Sequence, residues 1–384
     1  MPAALPSGDG PADPLALLTA YQHSAVLASA VTSGIADALA AGVEGSHGPD
    51  AIGAGRTVAE VADAAGTDPR ATRILLSALV AIGLATRADG ANAGARVEDD
   101  TRFALSEPGA VLASDHPQTL AWIVRKEWFF YGVWNELPAA LADGHARVGP
   151  WRERVDEDRE TAFGFLRALD DLAARFGGEL AEAAAAALPS PGADAPDDGR
   201  ASPQGEFSPR NPRPQAERLR LLDVGGGAGS HSARLAELRP DVKPTVLDLP
   251  QVAPILGERH PEVPFTAGDL AAPRFGRPEG ETWDAILLAN ILHDHTPERN
   301  AALVAEAAAL LAPGGTLLLY EWIPNPDTSA PDLPLFAVMM MVENEGGDAY
   351  AEGEHRAWLE AAGLEAVEIS RGYGPIAVLS ARRP

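Results

Sequence analysis

Residues 218–240 read RLRLLDVGGGAGSHSARLAELRP, and this stretch decides the fold. Arg218–Val224 is an apolar run of the length expected of a buried strand, and Ser230–Leu238 continues as a helix. Between them, Asp223-Val224-Gly225-Gly226-Gly227-Ala228-Gly229 forces a sharp turn whose backbone a ligand can approach closely, because glycine has no Cβ. Working outward, Thr245–Leu249 is a second strand and Val263–Ala267 a third. Trp283–Asn290 is the fourth, followed by a helix from Pro297 to Leu311. Thr316–Trp322 is the fifth, introduced by Pro313-Gly314-Gly315, and Glu365–Arg371 and Ile376–Ala381 close the chain. This alternation implies an α/β fold, a doubly wound Rossmann-like parallel sheet with helices on both faces. Ligands of such sheets lie at the carboxyl ends of the strands.

The first half is mostly helical. Leu15 to Ala41 is apolar nearly all round, as in a helix buried on several faces at a dimer interface. Thr57 caps a short helix that Gly66 ends, and Asp68 caps a second that begins with Pro69. The segment from Thr101 to Ser114 then alternates like a small strand pair, completing a winged-helix pattern. Its second helix offers only Arg70 and Arg73 as cations, too few for the phosphate contacts that hold such modules on DNA. A packing and dimerisation module is the better reading; a winged-helix regulator that senses a ligand is the rival. Met1 to Asp13 reads as disordered, Gly42–Arg56 as a surface loop, and 189–215, dense in Pro, Gly, Ser and Asp, as a flexible linker or insertion. The expected organisation is a winged-helix domain at 14–115, a helical connecting region at 116–188, and a catalytic domain at 216–384.

The composition narrows the partners. Thirty basic against fifty-five acidic side chains give a net charge of −25 over 384 residues, which disfavours nucleic acid and anionic membrane surfaces. The chain has no cysteine, so disulfides, thiolate metal sites and thiol nucleophiles are excluded. No signal peptide and no uninterrupted apolar span is apparent, and a cytoplasmic location is expected.

The glycine spacing alone fits either a dinucleotide or another adenosyl cofactor, since Asp248 at the end of the second strand can accept from ribose hydroxyls in both. Gly268-Asp269-Leu270 after the third strand shifts the balance, because its carboxylate can accept from an adenine amino group. LLDVGGGAGSHSARLAELRP, TVLDLPQV, FTAGDL, ANILHDHTPERN and LLAPGGTLLLYEWIP occur in the order seen in the plant-type, caffeate-like O-methyltransferases. The chain resembles that family, in particular its bacterial branch that tailors polyketides and other natural products, over nearly its whole length. The resemblance implies a class I methyltransferase fold with an N-terminal winged-helix dimerisation domain, a homodimer, and S-adenosylmethionine as cofactor. It places Gly225 and Gly227 against the methionine part, Asp248 on the ribose, and Asp269 with Leu270 around the adenine. Asp223, Leu249 and Asn290 complete the cofactor set, with Asp223 as a turn cap the alternative.

Methyl transfer to a hydroxyl requires removal of its proton, and a neutral imidazole suits a phenol. His293, just beyond the fourth strand, coincides with the family's catalytic histidine, and Glu321 matches the first of two glutamates that orient it. The place of the second holds Ala349, with Asp348 or Glu352 as substitutes. His295 stands where the family prefers tryptophan. His293-Asp294-His295 raises the question of a metal, but related keto-acid C-methyltransferases add a downstream histidine where this chain has Asn344, and no metal is expected. Asn344, Met340 and Phe336 are the substrate-pocket candidates, and the resemblance makes His23 a contributor to the partner's site. The expected activity is O-methylation of a phenolic small-molecule secondary metabolite. C- or N-methylation, or a cofactor-assisted oxygenation, is the same-fold alternative that the missing glutamate keeps open.

Overall fold

The computed structural model describes residues 14–41, 55–189, 218–324, 332–371 and 375–384. The N-terminus to residue 13 and nearly all of the expected loop and linker lie outside them. The chain forms two compact units, one of residues 1–135 with 167–172, the other of 136–166 with 173–384. Residues 116–188, read as one connecting region, are thus shared between them.

The first unit begins with α1 (Pro14–Thr32) and α2 (Ile35–Ala40). The single helix expected over Leu15–Ala41 is two, because Gly34 takes φ 76° and breaks the ladder. β1 (Arg56–Thr57) leads into α3 (Val58–Ala65), where Thr57 and Glu60 form a reciprocal cap. Asp68 caps α4 (Pro69–Ala81) through the Ala71 N–H at 2.8 Å. The strands are β2 (Ala85–Arg87) and β3 (Arg102–Leu105), in the order β1-β3-β2. This corrects the expected pair within Thr101–Ser114: the partners of β3 are Arg56–Thr57 and Ala85–Arg87, and 110–112 form a 3₁₀ turn. At that point the backbone of Gly109 comes so close to the Leu84 carbonyl that any Cβ would collide with it, so only glycine permits the approach. Val61, Leu76, Leu79 and Phe103 fill the core. α5 (Ala121–Val133) packs along α1, with Tyr131 stacked on Tyr21 and Trp128. The N-terminal half of α1 is exposed, Leu15 and Leu18 by 69% and 70%. One further correction concerns α1: by length and composition alone its 19 residues are apolar enough to cross a membrane.

The second unit contains α6 (Leu137–Asp143), α7 (Trp151–Glu157), most of α8 (Arg159–Phe176) and α9 (Gly178–Ala187). Then follow β4 (Leu219–Val224), α10 (Ser230–Leu238), β5 (Val242–Asp248), α11 (Ala253–Arg259), β6 (Phe265–Ala267) and β7 (Trp283–Ala289). The chain ends with α12 (Pro297–Leu310), β8 (Leu311–Trp322), α13 (Asp332–Glu343), α14 (Glu352–Ala361), β9 (Glu365–Arg371) and β10 (Ile376–Arg382). The sheet order is β6-β5-β4-β7-β8-β10-β9. The first five strands are parallel, but β10 runs antiparallel to both β8 and β9, so the sheet is mixed rather than all-parallel. Both faces are covered. Along β7, Ala285, Leu287 and Ala289 pack with Leu180 and Leu235, while Ile286 and Leu288 pack with Leu303, Val304 and Leu359. That alternation explains why a strand buried on both faces reads as a continuous apolar run.

Candidate active site

The carboxyl ends of β4, β5, β6, β7 and β8 deliver, in turn, the glycine turn, Asp248, Asp269, Asn290 and Glu321. Gly225 and Gly227 adopt φ 73° and 54°, and a Cβ on Gly225 would stand 2.5 Å from Ile291 Cδ1. Asp248 organises the turn: Oδ2 accepts from the Gly227 N–H at 2.9 Å and Oδ1 from the Leu249 N–H at 2.7 Å. Asp223 lies beneath it, fully buried, with Oδ2 accepting from Ser232 Oγ at 2.7 Å. Burial pushes its carboxyl up to about 7, against the opposing Ser232 hydrogen bond. Its Oδ1 is buried without a partner. The same holds for Asn290 Oδ1, on a residue held at φ 55° at the end of β7.

Leu249 packs with Phe163, Leu166, Ala228, Val252 and Ile255, so the start of α8 covers the glycine turn. Leu166 stands 3.1 Å from where a Gly227 Cβ would be. Asp269 accepts from the Ala271 N–H at 2.9 Å and pairs with Arg152 of α7. The Leu270 carbonyl accepts from Arg299, and its side chain packs on the main core.

His293 is buried. Its Nδ1 lies 2.7 Å from Glu321 Oε2, and Nε2 lies 3.5 Å from Asp294 Oδ1. Glu321, 1% exposed, uses Oε1 to accept from the Ile291 and Leu292 N–H groups at 2.8 and 2.7 Å. The His293 charge and hydrogen bond hold Glu321 in its ionised, acceptor-only form against burial, so Nδ1 carries the proton and donates to Oε2. Burial alone would lower the imidazole, but Glu321 and Asp294 outweigh it and raise His293 to about 9. On Glu321 burial acts upward, and the His293 charge and hydrogen bond bring it below the ordinary glutamate value. His295 is pushed the other way, to about 4, by burial and by Arg299.

Phe336 meets the His293 ring edge-on at 5.0 Å and stacks on Trp322 at 4.2 Å. Met340 is buried, and Asn344 Nδ2 donates to Asp294 Oδ1 at 2.7 Å. Asp348 accepts from the Ala349 N–H, and Glu352 pairs with Arg356 and Arg371 at 2.7 and 2.8 Å. Neither carboxylate is a partner of the His293 ring, which faces Glu321 and Asp294. Among the described residues no group of three or more His, Asp or Glu side chains is arranged to hold a metal. Trp151, Arg152, Arg154, Ser232, Trp322 and Glu343 went unassigned in the sequence. Only Ser232 had a local signal there, a hydroxyl in the first turn of the helix after the strand bearing Asp223.

The set of acceptors fits an adenosyl cofactor that carries hydroxyl, amino and ammonium donors. Asp248 and Asp269 supply carboxylates, and the unpartnered oxygens of Asp223 and Asn290 mark two further acceptors at the strand ends. A mixed seven-stranded sheet with this turn and these acids defines an S-adenosylmethionine-dependent methyltransferase. An O-methyltransferase domain model matches residues 216–365, and an O-methyltransferase dimerisation domain model matches 15–115. The chain belongs to the O-methyltransferase family, whose cofactor is S-adenosylmethionine. It is 36% identical over 159 residues to the 3-hydroxy-5-methyl-1-naphthoate 3-O-methyltransferase of Streptomyces sahachiroi, a match spanning 41% of this chain and 46% of that enzyme. It is 26% identical to the tetracenomycin polyketide synthesis 8-O-methyl transferase of Streptomyces glaucescens, over 98% of this chain and 97% of the relative. Human N-acetylserotonin methyltransferase, solved in complex with S-adenosylmethionine, superposes with a TM-score of 0.70 at 20% identity, covering 98% and 99% of the two chains.

Proposed function

We propose that the protein methylates a phenolic hydroxyl of a small-molecule secondary metabolite, with His293 as the general base and Glu321 as its orienting partner. The observation that carries this is the 2.7 Å contact between His293 Nδ1 and the buried Glu321. It fixes the tautomer so that the neutral ring keeps its lone pair on Nε2. S-adenosylmethionine supplies an electrophilic methyl on its sulfonium. Asp248, Asp269, Leu249, Leu270 and Asn290 hold that cofactor against Gly225 and Gly227, while Phe163 and Leu166 keep water from the turn. A base raised to about 9 is within roughly one unit of a phenol at ~10, close enough for efficient proton transfer. It would be far too weak for an aliphatic alcohol. The names of the two Streptomyces relatives point to aromatic polyketide acceptors. Phe336 and Met340 form the wall nearest the base. The dimerisation match and the exposed Leu15, Leu17, Leu18 and Tyr21 of α1 support a homodimer that covers this apolar stripe.

Incubation with methyl-labelled cofactor and a panel of phenols tests the reading. Methyl ethers should form, and His293→Ala should slow transfer by on the order of 10²–10⁴ while S-adenosylhomocysteine still binds. A carbon- or nitrogen-methylated product, or full activity in His293→Ala, would refute it.

A further inference from the structure

The loop that bears Asp269 is held from two helices. Asp269 Oδ1 accepts from the Ala271 N–H at 2.9 Å, and Oδ2 pairs with the Arg152 guanidinium of α7. Arg299 of α12 donates to the Leu270 carbonyl. Arg152 owes its place to the way α7 is tied down around it. Trp151 packs on the cluster of Leu249, Val252 and Ile255, and Asp156 Oδ1 accepts from Gln251 Nε2 at 2.7 Å. Arg154, two positions beyond Arg152 and so on another face of the helix, pairs with the buried Glu343 of α13 at 3.1 Å. These contacts keep a helix of only seven residues against the segment that follows Asp248, with Arg152 at the rim of Asp269. The pair is open to water, its side chains 50% and 36% exposed, so it adds little to stability. Its consequence lies in what it presents to a ligand.

We propose that Arg152 is a specificity-determining residue of the cofactor site, donating to a ring nitrogen of the adenine while its partner Asp269 accepts from the 6-amino group. This rests on the reading of Asp269 as the adenine acceptor. An ionised carboxylate has about four acceptor positions, and the Ala271 N–H and Arg152 take two of them, which leaves room for an amino proton. The 6-amino group of adenine is flanked by two ring nitrogens, N1 and N7, that only accept. A guanidinium carries five N–H donors in one plane, so it serves the carboxylate with one and a ring nitrogen with another. The pair thus sets an acceptor beside a donor, the complement of an amino group beside a ring nitrogen.

The test is calorimetric binding of S-adenosylhomocysteine and of its 1-deaza and 7-deaza analogues, each with one ring nitrogen replaced by CH, to the full-length protein and to Arg152→Met. No methyl acceptor and no turnover are needed. The wild type should bind one of the two analogues about tenfold more weakly than S-adenosylhomocysteine, the loss of one charge-assisted hydrogen bond at a half-exposed site. Arg152→Met should weaken S-adenosylhomocysteine by a similar factor and no longer discriminate against that analogue. Equal affinity of the wild type for all three ligands would overturn the inference, and this arm needs no variant to fold. So would an Arg152→Met protein that binds S-adenosylhomocysteine as tightly as the wild type, binds it more tightly because the arginine only blocked the acid, or keeps the discrimination. Failure of the adenine placement would show separately, as undiminished S-adenosylhomocysteine binding in Asp269→Ala.

Discussion

Glu321→Gln removes one charge and changes almost no volume, and the structure sets the size of its effect. Glu321 accepts three hydrogen bonds, two from the Ile291 and Leu292 amides and one from His293 Nδ1. A glutamine has one oxygen. If that oxygen stays on the two amides, its NH₂ faces Nδ1 and the imidazole must move its proton to Nε2. The ring is then in the tautomer that cannot take a proton from the acceptor. Amidating the orienting carboxylate of a catalytic triad costs about 10⁴ in kcat, and a loss of 10³–10⁴ is expected here. The His293 pKa should also fall from about 9, because Glu321 contributes most to raising it. Stability should drop by about 2–3 kcal/mol, the worth of a hydrogen bond between charged groups in a buried site. Methyl transfer measured with labelled cofactor, next to calorimetric binding of S-adenosylhomocysteine, separates chemistry from cofactor affinity, which should change little. A Glu321→Gln enzyme with more than about a tenth of the wild-type kcat would refute the tautomer argument.

Three further outcomes follow from the same geometry. For the free enzyme, kcat/KM should rise with pH and level off above about 9, because the neutral imidazole reacts and His293 loses its proton only there; a flat profile from pH 7 to 10 contradicts this. S-adenosylhomocysteine affinity should fall as pH drops through about 6, where burial places the Asp248 carboxyl, and Asp248→Asn should remove that dependence and weaken binding ~10–100-fold by calorimetry. Leu15→Asp with Leu18→Asp should give a monomer by sedimentation, since both leucines are exposed on α1 and a carboxylate cannot be buried unpaired in a dimer; an unchanged dimer places the interface elsewhere.

The glycine turn, the five parallel strands and the acids at their ends were legible because each rests on local pattern: strand periodicity, turn residues and short spacings. What depended on pairing was not. Nothing near Arg102–Leu105 shows that its partners are Arg56–Thr57 and Ala85–Arg87 and not the segment just after it; the need for glycine at 109 is visible only once Leu84 is alongside. The reversal at β10 was likewise hidden, because an apolar strand reads the same in either direction. The Glu343–Arg154 ion pair escaped for a related reason: its members lie 189 positions apart, and only folding brings them together. Arg152 and Asp269 are a similar case: the sequence offered the acid to an adenine, and the fold supplies it with an arginine as well.

The most direct test of proton abstraction by His293 is a crystal structure with S-adenosylhomocysteine and a phenolic acceptor identified by turnover. The account predicts the acceptor oxygen within about 2.6–3.2 Å of His293 Nε2, with Nδ1 still on Glu321. An acceptor bound with a carbon or nitrogen at that place, or with its hydroxyl turned away from the imidazole, would contradict it.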